Sequence, residues 1–207
     1  MSVELKVCGM RDPANIAEVA ALQPDYMGFI FYEKSPRFVG DDFEMPAIPV
    51  GIKKVGVFVN ETTEAIVNKV NRYKLDFVQL HGNESSAQCL DLKDQGVKII
   101  KAFSVDKDFK FESVEPYANF VSYFLFDTKG KYFGGNATTF DWSLLQQYSL
   151  QIPFFLSGGI SIDNVSDIHK IGTSKLHSID VNSGVERSAG VKDLNKIKDL
   201  KRAVSSW

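Results

Sequence analysis

Short apolar runs alternate with amphipathic stretches along the whole chain. The apolar runs are rich in β-branched and aromatic residues and end in small or polar ones, which predicts strands over 5–8, 26–31, 54–59, 76–80, 98–102, 123–127, 153–157 and 176–181. Between them, apolar residues return at helical spacing. Asp12-Pro13 opens the first such stretch with an N-cap acceptor and a proline at the first helical position, and Ile16, Val19, Ala20 and Leu22 follow on one face. Further helices are predicted over 62–73, 84–95, 141–148, 161–171 and 191–205, with Gly96 stopping the third. Two units are weaker. Pro46 and Pro49 allow only a short helix in 41–48, and Pro116 interrupts 106–118.

Strands that alternate with helices build right-handed βαβ units and a parallel sheet. About eight such units favour closure into a (β/α)8 TIM barrel; an open doubly wound sheet is the structural alternative. No low-complexity or linker-like stretch divides residues 1–207, so a single α/β barrel domain is expected. Closure would matter for chemistry, because barrel strands deliver the residues at their C-terminal ends to one mouth.

Composition narrows the setting. The net charge of -2 gives no bulk reason to expect nucleic acid or an anionic membrane as a partner. The N-terminal MSVELKVCGMRD shows no secretory pattern, and no run of about 18 apolar residues suggests a membrane span. The two cysteines, Cys8 and Cys89, are read as reduced thiols of a cytoplasmic protein. The histidines His81, His169 and His177 are isolated from one another, so no metal site is expected.

Candidate chemistry falls at strand ends. Alternation along Glu4-Leu5-Lys6-Val7-Cys8 sends Leu5 and Val7 toward the helices and Lys6 and Cys8 toward the barrel axis. Cys8 is then either a small buried hydrophobe or, with Lys6 as a neighbouring cation to favour ionisation, a functional thiolate. Cys89 lies mid-helix and reads as packing. Asp127 ends the very apolar run Tyr-Phe-Leu-Phe-Asp, either as an ordinary loop carboxylate or as a partly desolvated group suited to general-acid use. Gly158-Gly159 follows strand seven and Asn182-Ser183-Gly184 follows strand eight. Glycine loops at those two strands form a recurrent phosphate site in this fold. Arg37 follows Pro36 in the loop after strand two and could grip a carboxylate bidentately. Gln79 and His81, two apart, share the inward face of strand four, where they could hydrogen-bond to neighbours or to a substrate.

Taken together, Lys6-Val7-Cys8-Gly9, Gly28-Phe29-Ile30-Phe31, Ser35-Pro36-Arg37-Phe38-Val39, Val78-Gln79-Leu80-His81-Gly82, Ser157-Gly158-Gly159-Ile160 and Asp180-Val181-Asn182-Ser183-Gly184-Val185-Glu186 resemble the phosphoribosylanthranilate isomerases of tryptophan biosynthesis. Val55 to Asn60, Gly134-Gly135, Phe140-Asp141-Trp142 and Lys192-Asp193 extend the resemblance, in order, over nearly the whole chain. The resemblance implies a stand-alone barrel that converts N-(5-phosphoribosyl)anthranilate to 1-(2-carboxyphenylamino)-1-deoxyribulose 5-phosphate by an Amadori rearrangement, without metal or cofactor. It further implies Asp127 as general acid, Cys8 as general base, Arg37 on the anthranilate carboxylate and the two glycine loops on the phosphate. Three positions depart from the family pattern: Asn136-Ala137 stands where Thr-Gly is usual, and Asn182 where Ser is common. The related histidine-pathway isomerases carry an aspartate where this chain has Cys8, and a non-catalytic phospho-ligand-binding barrel would need the glycine loops but neither Cys8 nor Asp127. A homodimer is a further expectation.

Overall fold

The computed structural model describes residues 3–128, 139–168, 171 and 174–205. Eight parallel strands follow one another around a closed barrel: β1 (Glu4–Val7), β2 (Tyr26–Ile30), β3 (Lys53–Phe58), β4 (Phe77–Leu80), β5 (Ile99–Val105), β6 (Tyr123–Thr128), β7 (Phe154–Leu156) and β8 (Leu176–Val181). Closure is made by β8 pairing with β1, with Lys6 opposite Asp180. This rules out the open sheet.

The two-residue alternation sorts side chains as expected. Leu5, Val7, Phe124, Phe126, Ile179 and Val181 point outward into the large core beneath the helices. Tyr26, Val55, Phe77, Ile100, Leu125 and Phe155 fill the lower barrel interior. Above them lies a polar layer in which Lys6, Gln79 and Asp180 are all buried. Cys8, Ile30 and Val57 form a small apolar cluster at the mouth, with Tyr32 packed against it.

Helices form where capping and spacing agree. Asp12 accepts from Asn15 N and starts α1 (Pro13–Ala20). Thr62 caps α2 (Thr63–Tyr73), and Ser85 caps α3 (Ser86–Asp94). The third helix thus starts later than 84, because Glu84 is drawn inward onto Lys101. The fifth and sixth units carry 3-10 turns, Phe111–Tyr117 and Trp142–Gln147, in place of α-helices. In the fifth, Pro116 lacks the N–H that a regular helix would use. The proline-bearing stretch 41–48 forms no helix at all. α4 (Val165–Ile168) lies within the predicted 161–171. The last predicted helix splits: Val191–Lys192 is a short strand, β10, antiparallel to β9 (Glu186–Ser188), and α5 (Leu194–Val204) begins only after the Asp193 cap. Gly134-Gly135, Asn136-Ala137 and His169 lie outside the described residues. Among the described residues, no helix is long and apolar enough to cross a membrane.

Candidate active site

One cleft at the C-terminal ends of the strands is lined by Cys8, Arg37, Gln79, His81, Asp127, Gly158, Gly159, Asn182, Ser183 and Gly184. Every site residue expected from the sequence therefore meets in one place. The cleft is concave and lined by both apolar and polar groups, as small-molecule sites are.

Cys8 sits one residue beyond β1, its N–H bonded to Val181 O at 2.8 Å. It needs an unsubstituted neighbour: a Cβ on Gly28 would lie 2.6 Å from Cys8 Sγ. Burial pushes the Cys8 thiol up; Lys6 pulls it back only in part, and Asp180 adds to the rise. Lys6 thus favours the thiolate as the spacing suggested, while burial and Asp180 outweigh it. Lys6 Nζ lies 2.8 Å from Asp180 Oδ2 and 2.8 Å from Gln79 Oε1, so its charge is already partnered. Burial opposes the Lys6 ammonium, but Asp180 and Cys8 more than offset it and keep the cation.

Asp127 is the penultimate residue of β6, on a well-separated arc of the wall. Its Oδ1 accepts from Thr128 N at 2.9 Å, and its Oδ2 faces His81 Nε2 at 3.2 Å. His81 Nδ1 in turn faces Gln79 Nε2 at 2.7 Å. The loop carrying His81 is clamped from behind: Glu84 accepts from Asn60 N, Gly82 N and buried Lys101, and Lys101 also donates to Leu80 O and Gly82 O.

Arg37 is not the solvated loop residue its position could suggest. Its Nε and Nη2 form a fork on Glu186 at 2.8 and 2.7 Å. Glu186 also accepts from Lys192 Nζ at 2.7 Å and Gly190 N at 3.0 Å. Burial alone would raise the Glu186 pKa, but the bonds from Arg37 and Lys192 hold it below the usual carboxylate range. A guanidinium has five N–H donors, and this fork uses the Nε side. Lys192 also holds the Asn182 side chain, with 2.7 Å to Oδ1. This contact uses the amide oxygen, so the donors of Asn182 toward an anion are its Nδ2 and its backbone N–H.

Gly158 and Gly159 both take positive φ, 97° and 65°. At Gly158 a Cβ would run into Thr128, so this turn out of β7 demands glycine on both counts.

Asp180, Glu186, Lys192, Glu84 and Lys101 were not expected from sequence as site residues. For Asp180 a signal existed: in Leu176–Val181 it alternates inward with Ser178 while Ile179 and Val181 point out. For the Glu186–Lys192 pair, the intervening hairpin was masked by a helical reading of 191–205. Among the described residues, no cluster of His, Cys, Asp or Glu could hold a metal ion.

Comparison with known proteins agrees with this geometry. The family model described as N-(5'phosphoribosyl)anthranilate (PRA) isomerase matches residues 5–203. An N-(5'-phosphoribosyl)anthranilate isomerase of Parabacteroides distasonis is 46% identical over 200 residues, covering 95% of this chain and 90% of the relative. One of Phocaeicola vulgatus is 40% identical over 189 residues, covering 91% of each. The crystal structure of the Thermotoga maritima phosphoribosyl anthranilate isomerase superposes with a TM-score of 0.83 at 30% identity, over 99% of this chain and 100% of that one. A phosphoribosyl anthranilate isomerase solved in complex with reduced 1-(o-carboxyphenylamino)-1-deoxyribulose 5-phosphate gives 0.79 at 29% identity, over the same shares. With its barrel, its cleft and nearly its full length matched in this way, the chain belongs to the phosphoribosylanthranilate isomerase family of tryptophan biosynthesis.

Proposed function

We propose that the chain, as a single barrel domain, carries out the family's reaction with Asp127 as general acid and Cys8 as general base. The observation that carries this reading is the gathering of both groups in one cleft, between Arg37 on one side and the glycine loops on the other. N-(5'-phosphoribosyl)anthranilate has a carboxylate at one end and a phosphate at the other. Arg37 takes the carboxylate, and the backbone of Gly158, Gly159, Asn182, Ser183 and Gly184 takes the phosphate. The sugar is then stretched across the mouth between the two reacting groups.

Asp127 gives its proton to the ribose ring oxygen; the C1–O bond breaks and the nitrogen lone pair forms an iminium. Cys8, as thiolate, removes the proton from C2. The released electron pair forms the C1–C2 double bond, and the C=N pair returns to nitrogen, giving the enolamine. Loss of the enol proton and protonation at C1 complete the ketone. The iminium acidifies the C2 proton, so a thiol that ionises only in part at neutral pH still suffices as base. His81 stands beside the sugar as the hydrogen-bonding partner of the acid, and Gln79 bonds to His81 in turn. A cytoplasmic setting and a homodimer belong to the same reading; the T. maritima structures include engineered monomers of a dimeric relative.

The test is turnover of phosphoribosylanthranilate, followed by loss of its fluorescence. Cys8→Ala and Asp127→Asn should each lower kcat by about 10²-fold or more with the fold intact. Saturable binding without turnover by the unmodified chain would instead favour a phospho-ligand-binding barrel.

A further inference from the structure

A chain of hydrogen bonds crosses the barrel along the floor of the cleft, from Asp180 on β8 through Lys6 on β1 and Gln79 on β4 to His81 and Asp127. Its direction is fixed by elementary donor chemistry. An ammonium can only donate. The Gln79 atom 2.8 Å from Lys6 Nζ is therefore the amide oxygen, and the amide NH₂ must face the other way. It faces His81 Nδ1 at 2.7 Å and donates to it, so Nδ1 carries no hydrogen. The ring proton is then on Nε2, 3.2 Å from Asp127 Oδ2.

The alternatives are closed by the same contacts. An imidazolium, or the Nδ1–H tautomer, would point an N–H at the Gln79 NH₂. Turning the amide over would relieve that clash only by placing the NH₂ against the Lys6 ammonium. Gln79 is buried and Lys6 fully so, leaving water little access to mediate either state. The other charges around His81 are themselves paired: Lys6 with Asp180, and Lys101 with Glu84. Arg37 is forked on Glu186 farther along the mouth, and Cys8 lies beyond Lys6.

We propose that Gln79, gripped by Lys6, is a positioning residue that locks His81 as the neutral Nε2–H tautomer. The proton given to the sugar then resides on Asp127 alone, and His81 steadies the carboxylate that remains. This rests on the reading of Asp127 as general acid.

The test uses ¹⁵N-histidine-labelled protein, with the His81 signals assigned by comparison with His81→Asn. Wild type should show a bare Nδ1 and a protonated Nε2 at neutral pH. Gln79→Glu places a carboxylate opposite Nδ1. His81 Nδ1 should then carry a proton. In the same variant kcat should fall about tenfold or more, with KM changed less than about twofold. Gln79→Met, which adds no charge and removes the NH₂ that Nδ1 accepts from, should let Nδ1 carry the ring proton, and it serves if the glutamate variant does not fold. An Nδ1–H or imidazolium signal in wild type at neutral pH would overturn the proposal. So would Gln79→Glu or Gln79→Met with the wild-type tautomer. The nitrogen signals do not depend on turnover, so an inactive wild type would count against the proposed reaction while the lock is judged on its own readout.

Discussion

Replacing Lys6 by Met keeps most of the side-chain volume and removes the ammonium. Lys6 is fully buried and the Asp180 side chain is only 4% exposed, so water offers little relief to what is left behind. Asp180 Oδ2 would lose its partner, and Oδ1 already has none within the described protein. Breaking one side of a buried ion pair costs about 3–5 kcal/mol. At about 2–4 °C per kcal/mol for a chain of this size, the melting temperature should drop by roughly 6–20 °C. The loss should depend on pH. Burial already raises the Asp180 pKa, with Lys6 pulling the other way, and losing Lys6 would raise it further. A carboxyl whose folded pKa lies above its unfolded value of about 3.9 binds its proton more tightly when folded. The Lys6→Met deficit should be smallest below that unfolded value, grow as pH rises toward the folded one, and level off above it. Urea unfolding of Lys6→Met and of Lys6→Met/Asp180→Asn across pH reads this directly. The double variant, with no charge left to strand, should recover most of the loss and flatten the pH dependence. A single variant that loses under about 1 kcal/mol at neutral pH, or a double variant worse than the single, would refute the reasoning.

Arg37→Ala should lower kcat/KM chiefly through KM; an unaltered kcat/KM would remove Arg37 from substrate capture. Gly28→Ala drives a methyl to 2.6 Å from Cys8 Sγ, so kcat should fall with stability reduced only by local repacking, and a wild-type kcat would mean that the thiol position is not critical. Because burial raises the Cys8 pKa, alkylation of Cys8 should be slower than that of a free thiol at neutral pH and climb at alkaline pH, with substrate protecting; alkylation at the free-thiol rate at pH 7 would show a preformed thiolate. Inorganic phosphate should compete with substrate, and purely noncompetitive inhibition in steady-state assays would count against the glycine-loop site.

The strands were legible because a buried parallel strand leaves a short β-branched or aromatic run whatever surrounds it. β1 even revealed which of its faces was polar, since Lys6 and Cys8 alternate with Leu5 and Val7. The helices were less legible. In units two, five and six the sheet is covered by irregular backbone or 3-10 turns, and local spacing does not record how much cover a strand requires. In the site, the residues at strand ends could be found one by one, but their partners could not. Arg37 and Glu186 are 149 positions apart, and Lys6 and Asp180 are 174 apart. Only closure of the barrel makes them neighbours, so the reading of Lys6 as a free cation for Cys8 missed the carboxylate that claims it.

The pairing of β8 with β1 also sets a timetable. Lys6 lies on the first strand of the barrel, yet the strand that supplies its partner Asp180 is the last of the eight in chain order. Lys192, which holds Glu186 and Asn182 and whose backbone is stitched to the Asn15 side chain, follows later still. A nascent chain cut between Asp127 and Lys192 already holds Cys8 and Asp127 but lacks this frame, so the mouth of the barrel takes its shape only when both ends of the fold are present.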